Sequence, residues 1–327
     1  MTRSLRLSAL VAVAVIAVAA CSSAATPAPA TQAPATEAPA TQAPATQAPA
    51  TQAPATEAPT QAPAWANPDP NSLLGKIIAA KKVKISTDPN YAPFSFLDTN
   101  TGKFVGFDTS TAEEVVKRMS EKLGMPIELS WETPSWDLIT AGNWGGRWDM
   151  SIGSMSVTTA REKVVDFADP YYYDFGAVAI PTDSTIASLK DLDGKSICVG
   201  AATTYESWLN GTLEVPGDIA PAPVGATITS LPTDNECVQA FVAGRKFDAL
   251  VANENSLSNA VKQNTGLKLL EVPPPFLVKV SFALDKGGPN TAAMLALLNE
   301  IVAEMHADGT LTKFSNEFLG KDVTQAP

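Results

Sequence analysis

Residues 154–173 read SMSVTTAREKVVDFADPYYY: small hydroxyl residues lead into a single arginine, and an aromatic and acidic run follows. Arginine suits a carboxylate ligand because its planar guanidinium offers two parallel donors to the two carboxylate oxygens. Ser154 and Ser156 lie just upstream of Arg161, where hydroxyls and backbone amides are placed to complete such a site. The stretch therefore predicts an anion-binding loop, with a surface arginine or a helix cap as the alternative.

The N-terminus has the pattern of an export signal. Arg3 and Arg6 supply positive charge, and residues 7–20 are small, mostly apolar and too few to cross a membrane as a helix. The tetrapeptide Val18-Ala19-Ala20-Cys21 then resembles the cleavage box of bacterial lipoproteins, in which the cysteine becomes the lipidated first residue. We expect residues 1–20 to be a signal peptide and Cys21 to carry a lipid anchor. An ordinary secretory signal with an incidental cysteine is the alternative.

A five-residue repeat, TQAPA or TEAPA, covers about residues 31–63 and places proline at every fifth position. It has no hydrophobic periodicity, and alanine alone buries too little area to offset the entropy of ordering the chain. We therefore expect residues 21–71 to be a tether, of which roughly 40 residues would span at most about 120 Å when extended as polyproline. A glycosylated threonine and proline stalk is the alternative.

The rest of the chain, about 260 residues, is long enough for two lobes that each bury a core. The whole chain carries a formal net charge of −11. Its densest basic cluster, residues 81–84, leads directly into a predicted strand, so no block of Lys and Arg is available to neutralise phosphates. This charge balance argues against nucleic acid or anionic lipid as the main partner.

Strand and helix patterns alternate beyond residue 81, which predicts an α/β architecture. Asp108 or Thr109 is placed to cap a helix that ends at Gly124. Strands are predicted at 83–86, 126–131, 148–152, 177–180, 195–199, 247–251 and 278–284. Further helices or helical turns are predicted at 136–144, 189–192, 203–209 and 237–243, followed by two helices near the C-terminus.

Eight segments follow one another in a specific order: TDPNYAPF (87–94), GKFVGFD (102–108), WD (136–137), RWDMSIG (147–153), the opening stretch through FADPYY (167–172), LKDLDGKSICVG (189–200), AGRKFDA (243–249) and ADGTLTKFSNEFLG (307–320). In this order and spacing they resemble the family 3 extracellular solute-binding proteins of ABC importers, the polar amino acid group. No single segment is specific, but the series is, and it covers residues 82–320.

The resemblance implies an α/β fold of the type II periplasmic-binding-protein kind: two lobes joined by two extended crossovers, with the ligand in the cleft between them. Residues 72–179 and 276–321 would form lobe 1, residues 180–275 lobe 2, and residues 322–327 a tail. Closure of the two lobes about these crossovers would produce the form that a membrane permease recognises. Because only contacts to both lobes can drive closure, the site is expected to draw residues from each.

Carried over residue by residue, the resemblance makes Arg161 the carboxylate clamp, assisted by Ser154, Ser156 and Thr158. Thr204 would face this clamp across the cleft at the start of a helix, where free backbone amides favour an anion. Together these residues would hold the carboxylate of the ligand.

The other end of the ligand would meet aromatic and acidic residues. Tyr91 and Trp136 align with aromatic residues that enclose the ligand side chain, and Asp88 aligns with a carboxylate that meets its cationic or amide end. The alternatives are packing in the lobe core for the two aromatic residues and a turn before Pro89 for Asp88.

One position departs from the family pattern. Where the family usually has an aspartate that binds the α-ammonium group, this chain has Asn253. A neutral amide does not neutralise a cation, so affinity for a plain α-amino acid is expected to fall by about tenfold or more. Either Glu254 takes over this role, or the ligand is something other than a standard amino acid. A polar or cationic amino acid is our first expectation.

Two cysteines, Cys198 and Cys237, remain once Cys21 is set aside, and both fall in lobe 2. In an exported protein they are expected to pair, and closing a loop of about 40 residues would stabilise the fold by about 4 kcal/mol. Two buried free thiols are the alternative. The single histidine, His306, is expected to act at a helix C-terminus.

The sequence has no zinc-binding spacing, phosphate loop or Ser-His-Asp order, so we expect no metal, no cofactor and no catalytic residue. We expect a monomeric, lipid-anchored, extracytoplasmic solute-binding protein that passes an amino acid or related carboxylate to an ABC permease. One alternative is a cleft enzyme of the same fold, such as a dehydratase that uses Asp88 or Glu254 as acid or base on a small carboxylate. The other is a ligand sensor for a membrane partner, for which a fused transmembrane or signalling domain would be expected.

Overall fold

The structure is a computed structural model that describes residues 62–327. The predicted signal peptide, Cys21 and most of the predicted tether lie outside the described residues. Within residues 62–327, no helix combines the length and the apolar composition needed to cross a membrane.

Helices and strands alternate along the described chain, as the hydrophobic pattern predicts. The helices are α1 (Leu73–Ala80), α2 (Phe107–Leu123), α3 (Trp136–Thr140), α4 (Thr204–Leu209), α5 (Asp234–Val242), α6 (Glu254–Lys262), α7 (Ala292–Ala307) and α8 (Thr310–Leu319), with 3-10 turns at Arg161–Lys163 and Leu189–Leu192. The strands are β1 (Lys82–Ser86), β2 (Asn90–Tyr91), β3 (Ser95–Asp98), β4 (Lys103–Val105), β5 (Glu128–Glu132), β6 (Met150–Ser151), β7 (Val165–Phe167), β8 (Tyr172–Pro181), β9 (Ser196–Gly200), β10 (Thr227–Leu231), β11 (Ala249–Asn253), β12 (Leu267–Leu269), β13 (Leu277–Val280) and β14 (Ala283–Asp285).

Two mixed sheets form the centres of two lobes. In lobe 1 the strand order is β5-β1-β6-β14-β7, with β1 parallel to both β5 and β6. In lobe 2 the order is β10-β9-β11-β8-β12, with β9 parallel to both β10 and β11. This architecture is the expected two-lobed α/β fold. In such sheets, ligands bind beyond the carboxyl ends of the parallel strands, so both lobes present loops suited to a site.

One long strand, β8, connects the lobes. Its first half pairs with β13 through Tyr172 to Phe175, and its second half pairs with β11 and β12 from Gly176 onward. At the changeover, a Cβ on Gly176 would lie 2.8 Å from the ring of Phe276, so only glycine fits without displacing that ring. The hinge is therefore a hydrogen-bonded strand pair with a closely packed centre.

Lobe 1 gathers the helices α1, α2, α7 and α8 around its sheet. The start of the described chain is fastened to this lobe, because the Trp65 Nε1–H donates to Glu300 Oε2 at 2.7 Å. Lys122 Nζ, on α2, donates to the other oxygen of Glu300 at 2.6 Å. The C-terminus crosses toward the hinge, where Lys321 pairs with Glu254 of lobe 2 at 2.8 Å.

A disulfide joins Cys198 on β9 to Cys237 on α5, with a Cα–Cα distance of 5.7 Å. Both cysteines are buried in an apolar cluster that also contains Phe247 and Leu257. The bridge therefore fastens α5 to the sheet of lobe 2.

Several elements differ in extent from the sequence prediction. Gly106, rather than Asp108 or Thr109, precedes α2, because its φ of +134° and the closeness of the Phe94 carbonyl exclude a side chain there. α3 ends at Thr140, short of the predicted residue 144. The single strand predicted at 278–284 is two strands, β13 and β14. His306 lies in the last turn of α7, and its Nε2 is 3.0 Å from the Pro170 carbonyl oxygen.

Candidate ligand-binding cleft

The cleft is lined by residues that follow the carboxyl ends of parallel strands in both sheets. In lobe 1, Asp88 follows β1, Trp136 follows β5, and Ser154 follows β6. In lobe 2, Thr204 follows β9 and Asp234 follows β10. Because the carboxyl ends of parallel strands meet at one edge of a sheet, residues far apart in sequence form one cavity.

Arg161 is a buried cation at one end of this cavity. Its side chain is 8% exposed, its guanidinium donates to the carbonyl oxygens of Ser156 (3.0 Å) and Ala202 (3.1 Å), and its Cζ lies 5.2 Å from the centroid of the Trp136 ring. Burial lowers its pKa to about 10. No carboxylate of residues 62–327 lies within ion-pair distance of it, so the charge is met only by carbonyl oxygens and an aromatic face.

The loop beside Arg161 is held in place by the buried carboxylate of Asp108, on the side away from the cavity. Ser154 has a φ of +53°, an uncommon conformation for a residue with a side chain. Its Oγ donates to Asp108 Oδ2 at 2.8 Å, and the Tyr171 hydroxyl donates to Asp108 Oδ1 at 2.7 Å. Burial raises the pKa of Asp108 to about 6, against the lowering effect of these two donors. Asp108 therefore positions the cleft loop.

The wall contributed by lobe 2 carries hydroxyl groups. Thr203 Oγ1 accepts from the Glu206 N–H at 3.1 Å and so caps α4. The neighbouring Thr204 is buried, and its Oγ1 lies 3.5 Å from the Oγ of Ser156 in lobe 1. Ser156 and Thr204 therefore face each other across the cleft, next to Arg161.

Asp234 and Asp88 make the other end of the cavity acidic. Asp234 is 7% exposed, and its Oδ1 accepts from the Gly200 N–H at 2.9 Å. Burial raises its pKa to about 7, and the charges of Asp174 and Asp88 raise it further. The pKa of Asp88 is also raised, mainly by burial, while the Asn90 N–H that it accepts at 2.7 Å lowers it. Among the described residues, no Lys or Arg forms an ion pair with either carboxylate.

Contacts between the lobes lie at both ends of the cavity. At the cationic end, the Ala202 carbonyl accepts from Arg161 and also from Trp136 Nε1 at 3.2 Å. At the acidic end, Asn235 Nδ2 donates to Asn90 Oδ1 at 2.8 Å. The cleft is therefore closed by a hydrogen bond next to the positive group and by another next to the two carboxylates.

The structure brings most of the predicted site residues together. The cavity is lined by Asp88, Tyr91, Trp136, Ser154, Ser156, Arg161 and Thr204. Thr158 lies behind this wall, where its Oγ1 accepts from the Arg161 N–H at 3.2 Å. Asn253 is buried outside the lining, where its side chain caps α6 and contacts Asp174. Glu254, the alternative to Asn253, pairs with Lys321 at 2.8 Å and also lies outside the lining.

Sequence reasoning missed further lining residues. These are Gly153, Thr203, Tyr205, Pro232, Thr233 and Asp234. Asp234 was missed because the strand before it, β10 with the sequence TITSL, alternates short polar and apolar residues and has no strong apolar run. A signal was present, since Thr233 caps α5 in the same way as Thr203 caps α4, directly after parallel neighbouring strands.

Two α/β lobes that enclose a cavity between the carboxyl ends of their strands define a solute-binding protein of the two-lobed periplasmic type. The chain belongs to the bacterial extracellular solute-binding proteins, family 3, whose family model matches residues 83–321.

Similar proteins match this chain along most of their length. The chain is 27% identical to the L-cystine-binding protein TcyJ of Escherichia coli over 256 residues, which is 77% of this chain and 88% of that protein. It is 29% identical to a probable amino-acid ABC transporter-binding protein of Haemophilus influenzae, over 76% of this chain and 89% of that protein. The crystal structure of the ancestral amino acid-binding protein AncCDT-1, a precursor of cyclohexadienyl dehydratase, has a TM-score of 0.64 at 26% identity, covering 76% of this chain and all of that one.

Proposed function

We propose that this protein is the receptor of an ABC importer for a zwitterionic amino acid. The observation that carries the proposal is the distribution of charge in the cleft. A buried guanidinium without a carboxylate partner, Arg161, and a buried carboxyl group without a cationic partner, Asp234, line the same cavity. An amino acid supplies the missing charge at both ends.

The physical reason is the cost of isolated buried charge. An ionised group transferred from water to a protein interior is strongly destabilised unless it is paired or hydrogen-bonded. A ligand carboxylate at Arg161 would accept charge-assisted hydrogen bonds from the guanidinium and from the hydroxyls of Ser156 and Thr204. Because Ser156 and Thr204 belong to different lobes, one ligand carboxylate would connect both lobes and favour closure.

The named relatives support this choice. One is an L-cystine-binding protein and another a probable amino-acid ABC transporter-binding protein, so their ligands match the charge pattern of this cleft. The residues proposed to contact ligand are those that line the cavity, and the partner is a membrane permease.

The proposal is tested by thermal shift with the twenty common amino acids, L-cystine and small carboxylates without an amino group, followed by calorimetry on the best ligand. At 100 times its Kd, a ligand adds about 2.7 kcal/mol to the free energy of unfolding. We expect at least one amino acid to raise the Tm and the deaminated carboxylates to have little effect. If no amino acid raises the Tm, the proposal is wrong.

We also propose export and anchoring through Cys21. The support is the pattern of the first 21 residues, namely a basic start, a short apolar run and a lipoprotein-like box. Expression in a bacterial host with the native leader is expected to place the wild type in the membrane fraction, released by detergent. The Cys21→Ser variant is expected in the soluble extracytoplasmic fraction. Membrane association that survives this substitution would contradict the anchor.

A second candidate function is a cleft enzyme such as a dehydratase. Two observations favour it: one similar structure is a precursor of a dehydratase, and burial raises the pKa of Asp88 and raises that of Asp234 to about 7, the direction that a general acid requires. Mass spectrometry after overnight incubation with the best thermal-shift ligand separates the two functions. A receptor leaves the ligand unchanged, whereas an enzyme yields a product of altered mass, and product formation that is lost in Asp234→Asn would establish the second function.

A further inference from the structure

The lobe 2 wall of the cavity comes from two short segments of chain. Its lining residues follow β9 (Thr203, Thr204 and Tyr205) or follow β10 (Pro232, Thr233 and Asp234). The contacts that close the cleft come from the same two segments. At one end the Ala202 carbonyl accepts from Arg161 and Trp136, and at the other end Asn235 donates to Asn90. The spacing of the two segments therefore sets both the shape of this wall and its fit to lobe 1.

The second of these segments, β10 with α5, is weakly held by apolar packing. β10 lies at the edge of the lobe 2 sheet and has no buried residue. Of the nine residues of α5, only Asp234 and Cys237 are buried, and a cavity of about 580 Å³ lies between α5 and α6. A helix this short is not stable by itself in water, so tertiary contacts must hold it in place. The side chains of Asp234 and Cys237 are therefore its main anchors.

The disulfide joins the two segments directly. Cys198 lies on β9 two residues before Gly200, and Cys237 lies on α5 three residues after Asp234. Nearer the cavity, the same two elements are joined by the hydrogen bond from the Gly200 N–H to Asp234 Oδ1 at 2.9 Å. A covalent bridge keeps α5 next to β9 even when this hydrogen bond opens. The bridge therefore lies directly behind the acidic end of the cavity.

We infer that the Cys198–Cys237 disulfide positions the lobe 2 wall of the ligand site, so that ligand affinity as well as stability depends on the bridge. This inference rests on the proposed function and adds to it two positioning residues that do not touch the ligand. Without the bridge, α5 would sample positions in which Asp234 and Asn235 no longer face lobe 1 correctly. The apparent affinity would then fall with the fraction of molecules in the binding-competent arrangement.

The first test compares two variants that both destabilise lobe 2. Cys198→Ala/Cys237→Ala removes the bridge and adds no polar group to the apolar cluster around it. Phe247→Ala is the matched control, because Phe247 is buried in the same cluster but precedes β11, at the end of the strand away from the cleft. Each change is expected to lower the free energy of unfolding substantially, and thermal unfolding measures by how much.

Ligand affinity then distinguishes positioning from general destabilisation. The probe is the common amino acid that raises the wild-type Tm most, with cysteine and cystine left out because they exchange with a protein disulfide. By calorimetry, we expect the Kd to rise about tenfold in the double cysteine variant and to stay within about twofold of the wild type in Phe247→Ala. An unchanged Kd in the double variant, or an equal rise in both variants, would overturn the inference.

The second test uses the wild type and does not depend on the folding of any variant. Dithiothreitol gives two electrons and two protons to the bridge, which becomes two thiols while the reagent closes to its cyclic disulfide. If the oxidised protein binds the probe tenfold more tightly than the reduced protein, saturating probe must stabilise the bridge by the same factor. The reduction potential should then fall by about 30 mV, as measured by alkylation and mass spectrometry in dithiothreitol redox buffers.

The dependence of this shift on probe concentration is also informative. The shift should level off once the probe exceeds both Kd values, because the reduced protein still binds it. A shift that keeps growing with probe concentration would show that reduction acts only by unfolding the protein, and this result or the absence of any shift would overturn the inference. If no amino acid of the screen binds the wild type, the proposed function fails and the inference with it. If amino acids bind and the bridge affects neither the Kd nor the reduction potential, the inference alone fails.

Discussion

Asn253 donates its side-chain Nδ2–H to Asp174 Oδ1 in the interior of lobe 2. The other oxygen of Asp174 accepts from the Tyr205 hydroxyl at 2.5 Å, and the ring of Tyr205 lines the cleft. Burial raises the pKa of Asp174 to about 7, against the lowering effect of these two donors. The amide at position 253 thus belongs to a buried network that supports the cleft from behind.

The variant Asn253→Asp should therefore destabilise the protein rather than improve ligand binding. It would place a second carboxyl group against Asp174, and the pair would need a shared proton. We expect the free energy of unfolding to fall by about 1 to 3 kcal/mol at pH 8 and to recover largely at pH 5, where that proton is available. Urea unfolding at both pH values measures this. Asn316→Asp, on the exposed face of α8, is the matched control, and a tighter Kd for common amino acids in Asn253→Asp would contradict the prediction.

Arg161→Ala should abolish high-affinity binding. Its guanidinium is the cation at the carboxylate end of the cavity, and the loss of a charge-assisted, two-donor contact is expected to raise the Kd by about 100-fold. Arg161→Lys should recover only part of this, because an ammonium group lacks the planar fork. Arg147→Ala serves as the control: Arg147 also lies over a tryptophan of lobe 1, Trp148, but it is exposed. Unchanged affinity in Arg161→Ala would refute the assignment.

Stability should decline as the pH rises from about 5 to 7. Asp108, Asp174 and Asp234 have pKa values of about 6, 7 and 7 in the fold, against 3.8 for the ordinary group. Between these values the folded state holds protons that the unfolded state has lost, so raising the pH favours unfolding, by about 1 kcal/mol or more per pH unit. The carboxyl groups whose pKa is lowered titrate below this window. Urea unfolding at pH 5, 6, 7 and 8 measures the slope.

The same titration has an internal control. Asp234→Asn removes one of the three groups and should reduce the slope between pH 5 and 7, because one fewer proton is then bound by the folded state. Stability that rises with pH across this interval in the wild type would show that these carboxyl groups are already ionised in the fold.

Removal of the disulfide should lower the stability of lobe 2. The bridge between Cys198 and Cys237 closes a loop of 39 residues. Loop-closure entropy alone predicts a loss of about 4 kcal/mol in the double Cys→Ser variant. Thermal unfolding measures the loss, and mass spectrometry after alkylation without reduction checks the starting protein, which should take up no label at either cysteine. A wild type that is labelled at both positions would contradict the bridge.

The sequence predicted best the elements whose pattern is local. β1, α4 and the 3-10 turn at Leu189–Leu192 begin and end at or within a residue of their expected positions, because apolar spacing and flanking turn residues mark them. β8 was predicted only at 177–180. Its first half depends on pairing with β13, about 100 residues later, and local residues do not encode such a partner.

The cleft residues divide in the same way into those that local sequence marks and those that only the tertiary fold brings to the site. Arg161, Trp136 and Asp88 could be found because they stand in segments with a family pattern, and the structure places them on one cavity. Asp234 and Tyr205 were not found: the helix-capping threonines Thr203 and Thr233 mark their loops, but their place on the cleft depends on which strands are neighbours in the lobe 2 sheet. Asp108 was predicted as a helix cap, but tertiary contacts turn its carboxylate toward Ser154 and Tyr171 instead.

The attachment of Trp65 to Glu300 determines which part of the receptor remains stationary when its N-terminal side is held. Glu300 lies on α7, which belongs to lobe 1. A surface or bead coupled to the N-terminal segment therefore holds lobe 1 and leaves lobe 2 free to move relative to it. Immobilisation through that end is therefore compatible with ligand titrations on a sensor chip. If Cys21 anchors the chain as proposed, the same attachment would hold lobe 1 at the membrane and leave lobe 2 as the lobe that moves on ligand binding.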